Sequence, residues 1–136
     1  MDCNAKLGDI WLVAMPILTV KNDGTFDTAF QIRPFLIVDE GKGVLVEENS
    51  DYLASKITTK KNNTVKVKEI ANWKELGLNQ PSFVRIEIPE RIEKTQLLRK
   101  ICSIPDEQFL DLFKEILSIF NTNAIEVILS KELQEA

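Results

Sequence analysis

The sequence predicts a mainly β domain with one C-terminal helix, and three observations predict it. Up to about residue 104 the apolar residues come in short runs, several alternating with polar residues and separated by turn formers. One run, Phe35-Leu36-Ile37-Val38, is uncharged and β-prone and stops at Asp39, the composition of a strand buried on both faces. From Asp106 the period changes. Phe109, Leu112, Phe113, Ile116, Leu117 and Phe120 then fall on one helical face. Many short strands followed by one helix describe a small, strongly bent sheet or barrel with a helix across it. A length of 136 residues suits a single domain, 1–136, around one core.

Residues 1–7 read as a loose lead-in. Gly8 to Val13 is a first strand, with Ile10 and Leu12 on one face and Trp11 and Val13 on the other; Met15 and Pro16 end it. Residues 17–29 read as a long loop with a small hairpin at its tip, turning on Asn22, Asp23 and Gly24. Gln31 to Asp39 is the second strand. Pro34 cannot donate to a ladder, so it belongs at the strand's start or on an edge. Glu40 to Gly43 turns, and Val44 to Val46 forms a short strand. Tyr52 to Thr58 is the next strand, and Asn62 and Asn63 turn the chain into Thr64 to Ile70. Trp73 to Leu76 fits one helical turn closed by Gly77. Pro81 opens a strand over Ser82 to Ile88, and Gln96 to Cys102 is the last. Pro105 suits a first helical turn, where Asp106 and Glu107 complement the helix dipole. The pattern leaves Ala124 to Leu129 open between strand and helix.

Composition is that of a globular protein, 44% hydrophobic and 28% charged. No apolar run has membrane-spanning length. Asp2, Lys6 and Asp9 break up the first ten residues, so no signal peptide is visible and a cytoplasmic location is expected. Cys3 and Cys102 then read as free thiols in a reducing compartment. Histidine is absent, which excludes Ser-His-Asp and Cys-His nucleophiles, histidine acid–base catalysis and the usual zinc sites. No glycine-rich phosphate loop occurs. A net charge of −4 does not advertise nucleic-acid binding. Its distribution says more. Lys56, Lys60, Lys61, Lys66 and Lys68 lie in a stretch without an acid, which fits either a solvated hairpin edge or a footprint for a polyanion. Arg33, at the mouth of the core, either aims its guanidinium at a ligand, lies over the core, or pairs with Asp9 or Asp27.

Four segments match one family in order. They are Gly8-Asp9-Ile10-Trp11, Ile32-Arg33-Pro34-Phe35-Leu36-Ile37, Ala54-Ser55-Lys56-Ile57-Thr58-Thr59, and Trp73-Lys74-Glu75-Leu76-Gly77-Leu78 running on through Pro81-Ser82-Phe83-Val84-Arg85. The match continues through Arg91-Ile92-Glu93-Lys94 and Ile104-Pro105-Asp106-Glu107. Together they resemble the PemK/MazF-like toxins of type II toxin–antitoxin systems, over a core of about 8–120, with 121–136 as an extension. The resemblance implies an SH3-like barrel, a homodimer, and cleavage of single-stranded RNA without metal or cofactor under control of a cognate antitoxin. Carried over by position, the catalytic residues fall on Arg33 and Thr58, and Ser82 falls near the substrate phosphate or ribose. Lys56, Lys60 and Arg85 would track the RNA backbone, and Thr59 would join them in binding the substrate. Thr59 and Arg85 also read as a β-prone threonine and a solvent-facing ladder residue.

The chemistry agrees with those residue types. Attack of a ribose 2′-hydroxyl on its own phosphate needs the phosphate held in line and its growing charge neutralised. An arginine fork and a threonine hydroxyl supply both. Products would be a 2′,3′-cyclic phosphate and a 5′-hydroxyl end. No residue presents itself as general base. The loop before Arg33 is longer than in compact members and lacks their Gly-Glu signal; Asp27 or Thr28 stands near that place. An antitoxin segment would set acidic and apolar side chains against Lys56, Lys60 and Arg33. Competing readings are a non-catalytic nucleic-acid or protein binding module of the same shape and, by fold analogy alone, a poison of DNA gyrase.

Overall fold

In a computed structural model, residues 5–41, 51–60 and 65–119 are described. Seven strands form one antiparallel sheet: β1 (Asp9–Val20), β2 (Phe26–Asp39), β3 (Tyr52–Thr58), β4 (Val67–Ile70), β5 (Ser82–Arg85), β6 (Glu90–Ile92) and β7 (Leu97–Ser103). Helix α1 follows, described over residues 106–119. The strand order is β4-β5-β3-β2-β1-β7, with β6 also on β3. The mainly β class with a C-terminal helix is therefore as expected. Closure into a barrel is not among the described pairings, because β4 and β7 remain the two edges.

Both faces of the sheet are buried, as the Phe35–Val38 run implies. Ile10, Leu36 and Val38 face a cluster with Ile57, Ile70, Val84 and Ile86, covered by Leu112 and Ile116 of α1. Trp11, Val13, Phe35 and Ile37, one residue out of phase, face a second cluster with Ala5, Tyr52, Ala54, Ile92 and Leu97. Helix α1 thus lies where its apolar period requires, with Phe109 stacked on Phe113 at 5.5 Å.

The Gly8-Asp9-Ile10-Trp11 motif is structural. Gly8 takes φ +84°, which an L side chain rarely adopts. Buried Asp9 accepts from the Lys6 backbone N–H at 2.9 Å, Trp11 Nε1 at 3.3 Å and Ser103 Oγ at 2.8 Å, with Lys100 Nζ 3.5 Å away. One carboxylate therefore ties the lead-in, β1 and β7 together.

The main departure from expectation is the hairpin between β1 and β2. It is not a long loop with a small tip. Unbroken antiparallel pairing runs from Ile10 opposite Leu36 out to Val20 opposite Phe26. Pro16 does not end β1. Pairing of β1 with β7 stops at Val13 opposite Leu97, so no neighbouring strand among the described residues uses the N–H that proline lacks. Asp23 caps the turn, its Oδ1 accepting from Thr25 N and Oγ1, and Gly24 takes φ +85°.

Smaller differences are local. The second strand begins at Phe26 rather than Gln31, and β4 covers Val67–Ile70 rather than Thr64 to Ile70. Strand β6 and a 3-10 turn at Lys94–Gln96 have no sequence signal in the reading above. The Trp73–Gly77 turn is as expected. Leu78 N donates to Trp73 O at 3.0 Å and Gly77 N to Lys74 O at 3.1 Å around a left-handed Gly77, a Schellman closure. Cys102 is free and half-buried, and burial, then the nearby Asp9 charge, push its thiol pKa up. Expectations for Cys3, Val44–Val46, Lys61 with the Asn62–Asn63 turn, Phe120 and 121–136 lie outside the described residues. No helix among the described residues is long and apolar enough to cross a membrane.

Candidate functional site

Strands β2 and β3 pair from Asp39 opposite Leu53 down to Phe35 opposite Lys56 and then part. Beyond that point β3 pairs with β5 instead, through Ile57 opposite Val84 and Thr58 opposite Phe83. Pro34, at the parting, has no N–H to offer β3. Arg33 of β2 and Thr58 of β3 lie just beyond the last pair, and both line the opening. The split opens a cavity of about 680 Å³ between the two strands, the 77–80 loop and β7.

Among the described residues five cations line this cavity: Arg33, Lys56, Lys60, Arg85 and Arg99. The described lining includes the hydroxyl residues Thr58, Thr59 and Ser82, and no carboxylate. All seven residues singled out in the sequence therefore meet in one place. A locally positive cavity on a chain of net charge −4 is a site for an anion.

The cations differ in how they are held. Asp9 is engaged by its own partners, and Asp27 pairs with Lys21 at 3.9 Å, so neither takes Arg33. Asp27 sits six residues up the strand, about 20 Å from Arg33, and does not stand at the site. Gln31 holds the Arg33 guanidinium instead. With its amide oxygen assigned toward the arginine, it accepts from Nε at 2.9 Å and from Nη2. Gln31 is neutral, so Arg33 keeps its charge for a ligand. Arg85 is offset by Glu87: Nη2 donates to Oε2 at 3.2 Å, while Nε lies 2.9 Å from Oε1 but out of line for a hydrogen bond. Lys56, Lys60 and Arg99 make no ion pair among the described residues.

The lysine run divides by function. Lys66 and Lys68 each lie 3.3 Å from Glu115 and tie the β4 region to α1. Lys56 and Lys60 face the cavity.

The hydroxyls are not equivalent either. Thr58 Oγ1 donates to Lys60 O at 3.2 Å and accepts from Lys60 N at 3.3 Å, long bonds that a phosphate oxygen can replace. Ser82 is buried and donates to Gln80 O at 2.9 Å. Its hydroxyl is therefore committed to shaping the 77–80 loop. Thr59 is exposed on the rim.

Arg99, Asn79 and Gln80 line the site and were not anticipated. Arg99 lies on β7 opposite Leu12, and only the sheet order brings β7 beside β2's parting from β3. Asn79 and Gln80 follow the Gly77 closure, a loop signal without a chemical one. No family model matches the chain, and no curated protein matches it in sequence.

Proposed function

We propose that the protein is a PemK/MazF-like toxin: an endoribonuclease with an SH3-like architecture that cleaves single-stranded RNA, acts in the cytoplasm and is silenced by a cognate antitoxin. One observation carries the reading: Arg33 and Thr58, distant in sequence, line one open cavity whose described lining holds five cations and no acid. The ordered motifs support the same assignment.

In this reading a phosphodiester enters beside Arg33. The ribose 2′-oxygen forms a bond to phosphorus as the bond from phosphorus to the 5′-oxygen breaks. The 2′ proton passes to solvent, and the departing 5′-oxygen takes a proton from solvent to leave as a hydroxyl. Arg33, oriented by Gln31, neutralises the charge that grows on the non-bridging oxygens, and the Thr58 hydroxyl donates to one of them. Lys56, Lys60, Arg85 and Arg99 hold flanking phosphates, with Thr59 on the rim. Ser82 acts through the 77–80 loop.

The test is incubation of the purified chain with mixed-sequence RNA in chelator, followed by mapping of the ends. New 5′-hydroxyl and 2′,3′-cyclic phosphate ends are expected. Arg33→Ala should lower cleavage by about 10²–10³-fold with an unchanged melting temperature, since Arg33 is exposed. Undiminished cleavage by that variant would remove the site assignment.

A second reading has its own observation. No described lining residue is a carboxylate or an imidazole, so the described lining offers no ready base for the 2′ proton. A binding module predicts salt-dependent RNA affinity and no new ends.

A further inference from the structure

Two unlike groups of residues line the cavity. Lys56, Thr58, Thr59 and Lys60, on β3 and just after it, bring cations and hydroxyls. The second group is apolar. Pro34 pairs with Leu12, and Leu12 with Arg99 on β7. Residues paired directly across an antiparallel ladder share a face, and Ile32, two positions from Pro34, lies on it too. Leu12, Ile32 and Pro34 all line the cavity, and Ile32 is 58% exposed. Arg99 is thus a cation set beside an apolar strip. The 77–80 loop adds Asn79 and Gln80. It is held at both ends, by Leu78 N donating to Trp73 O at 3.0 Å and Ser82 Oγ donating to Gln80 O at 2.9 Å. The side-chain amides of Asn79 and Gln80 have no hydrogen-bond partner among the described residues.

A phosphate has no use for an apolar strip, and no donor to give an amide oxygen. A nucleobase uses both. We infer that Arg99, Asn79 and Gln80 form a base-reading subsite selective for guanine. The inference deepens the proposed nuclease and rests on it for the class of ligand, single-stranded RNA. The cavity, at about 680 Å³, lies within the roughly 300–1,000 Å³ typical of small-molecule sites. In a single strand both the Watson–Crick and Hoogsteen edges of a base are open to side chains. Guanine carries the acceptors O6 and N7 side by side, the pair that an arginine meets with two N–H groups. The five donors of Arg99 leave its other edge for a flanking phosphate. On its Watson–Crick edge guanine offers N1–H and the N2 amino group, for which the oxygens of Asn79 and Gln80 are uncharged acceptors. The other bases fit less well. Adenine turns its N6 amino donor toward the guanidinium, cytosine's N4 amino group prefers a carboxylate that the described lining lacks, and uracil has no N7 to complete the pair.

Fluorescence anisotropy of the full chain with short labelled oligoribonucleotides tests it. Their riboses carry 2′-O-methyl groups, so attack is blocked and binding is read apart from cleavage. A uracil oligomer holding one central guanine should bind about tenfold more tightly than the all-uracil oligomer. Replacing the guanine by 7-deazaguanine, which lacks N7, or by hypoxanthine, which lacks the N2 amino group, should remove most of that gain. Arg99→Ala should bring guanine and 7-deazaguanine to equal affinity, and Asn79→Ala with Gln80→Ala should do the same for guanine and hypoxanthine. All three residues are exposed, and the melt of each variant checks its fold. No binding, equal affinity for every base, a larger gain for adenine, or an Arg99→Ala loss identical for guanine and uracil oligomers, as a phosphate contact alone would give, would each overturn the subsite. The same oligomers with free 2′-hydroxyls separate the two proposals. Guanine preference without cutting would remove the nuclease and leave the subsite, whereas cutting without base preference would remove the subsite and leave the nuclease.

Discussion

The β1–β2 hairpin is one structure with two fates. At its root Ile10, Trp11, Val13 and Phe35–Val38 are sealed, with Phe35 at 0% exposure. In its outer half the same two strands, in unbroken register, leave Phe30 at 67%. Local β-propensity does not separate them. The neighbours do: β7 flanks β1 up to Val13, β3 flanks β2 from Phe35, and past those points the ladder has no third strand among the described residues. Burial here belongs to the sheet order, and the cavity lies where one fate passes into the other.

The largest expected contrast is between two phenylalanines on β2. Phe35→Ala should cost about 3–5 kcal/mol, because the site is fully packed. Phe30→Ala should stay within about 0.5 kcal/mol in the monomer. Denaturant melts at low protein concentration measure both, and similar losses would break the distinction between root and outer half.

Asp9→Ala sharpens the contrast at the root. It orphans Trp11 Nε1 and Ser103 Oγ and should cost about 1–3 kcal/mol. It should also speed hydrogen exchange in β1 and β7 near Asp9 while leaving the outer ribbon as before.

The smallest effect is on acid stability. Glu115 is pulled two ways: burial raises its pKa, while the hydrogen bond from Lys66 and the adjacent ammonium charges of Lys66 and Lys68 outweigh burial and hold it below the usual carboxylate range. A folded-state pKa below the unfolded one contributes stability that is full above the unfolded value, about 4.3, and fades as pH falls through the folded value. Glu115→Gln should flatten global stability between about pH 5 and 3. Lys21→Ala, which breaks an exposed 3.9 Å pair on the outer ribbon, should leave that curve alone.

Much of this was legible in the sequence, for physical reasons that vary by element. Tyr52–Thr58 and the start of α1 follow from periodicity, because one face of each must be buried. Gly77 follows from chain closure. Arg33, Thr58, Lys56 and Lys60 stood out through motif order and charge. Pro16 misled, because a proline ends a strand only where a neighbour needs its N–H, and no neighbour is written in the local sequence. Arg99 was invisible for the same reason: a strand arginine looks alike whether it faces water or a cavity.

Side-chain chemistry and spacing along the chain were enough to specify β3, β5, β7 and the inner parts of β1 and β2, where the helix starts, and that a guanidinium stands at the mouth of the Phe35–Val38 core strand. Which strands flank which, how far β1 and β2 outrun their neighbours, and the gathering of five cations around one opening were settled by packing in three dimensions. Propensity acts between residues a few positions apart, whereas pairing partners are chosen by the burial of the whole sheet.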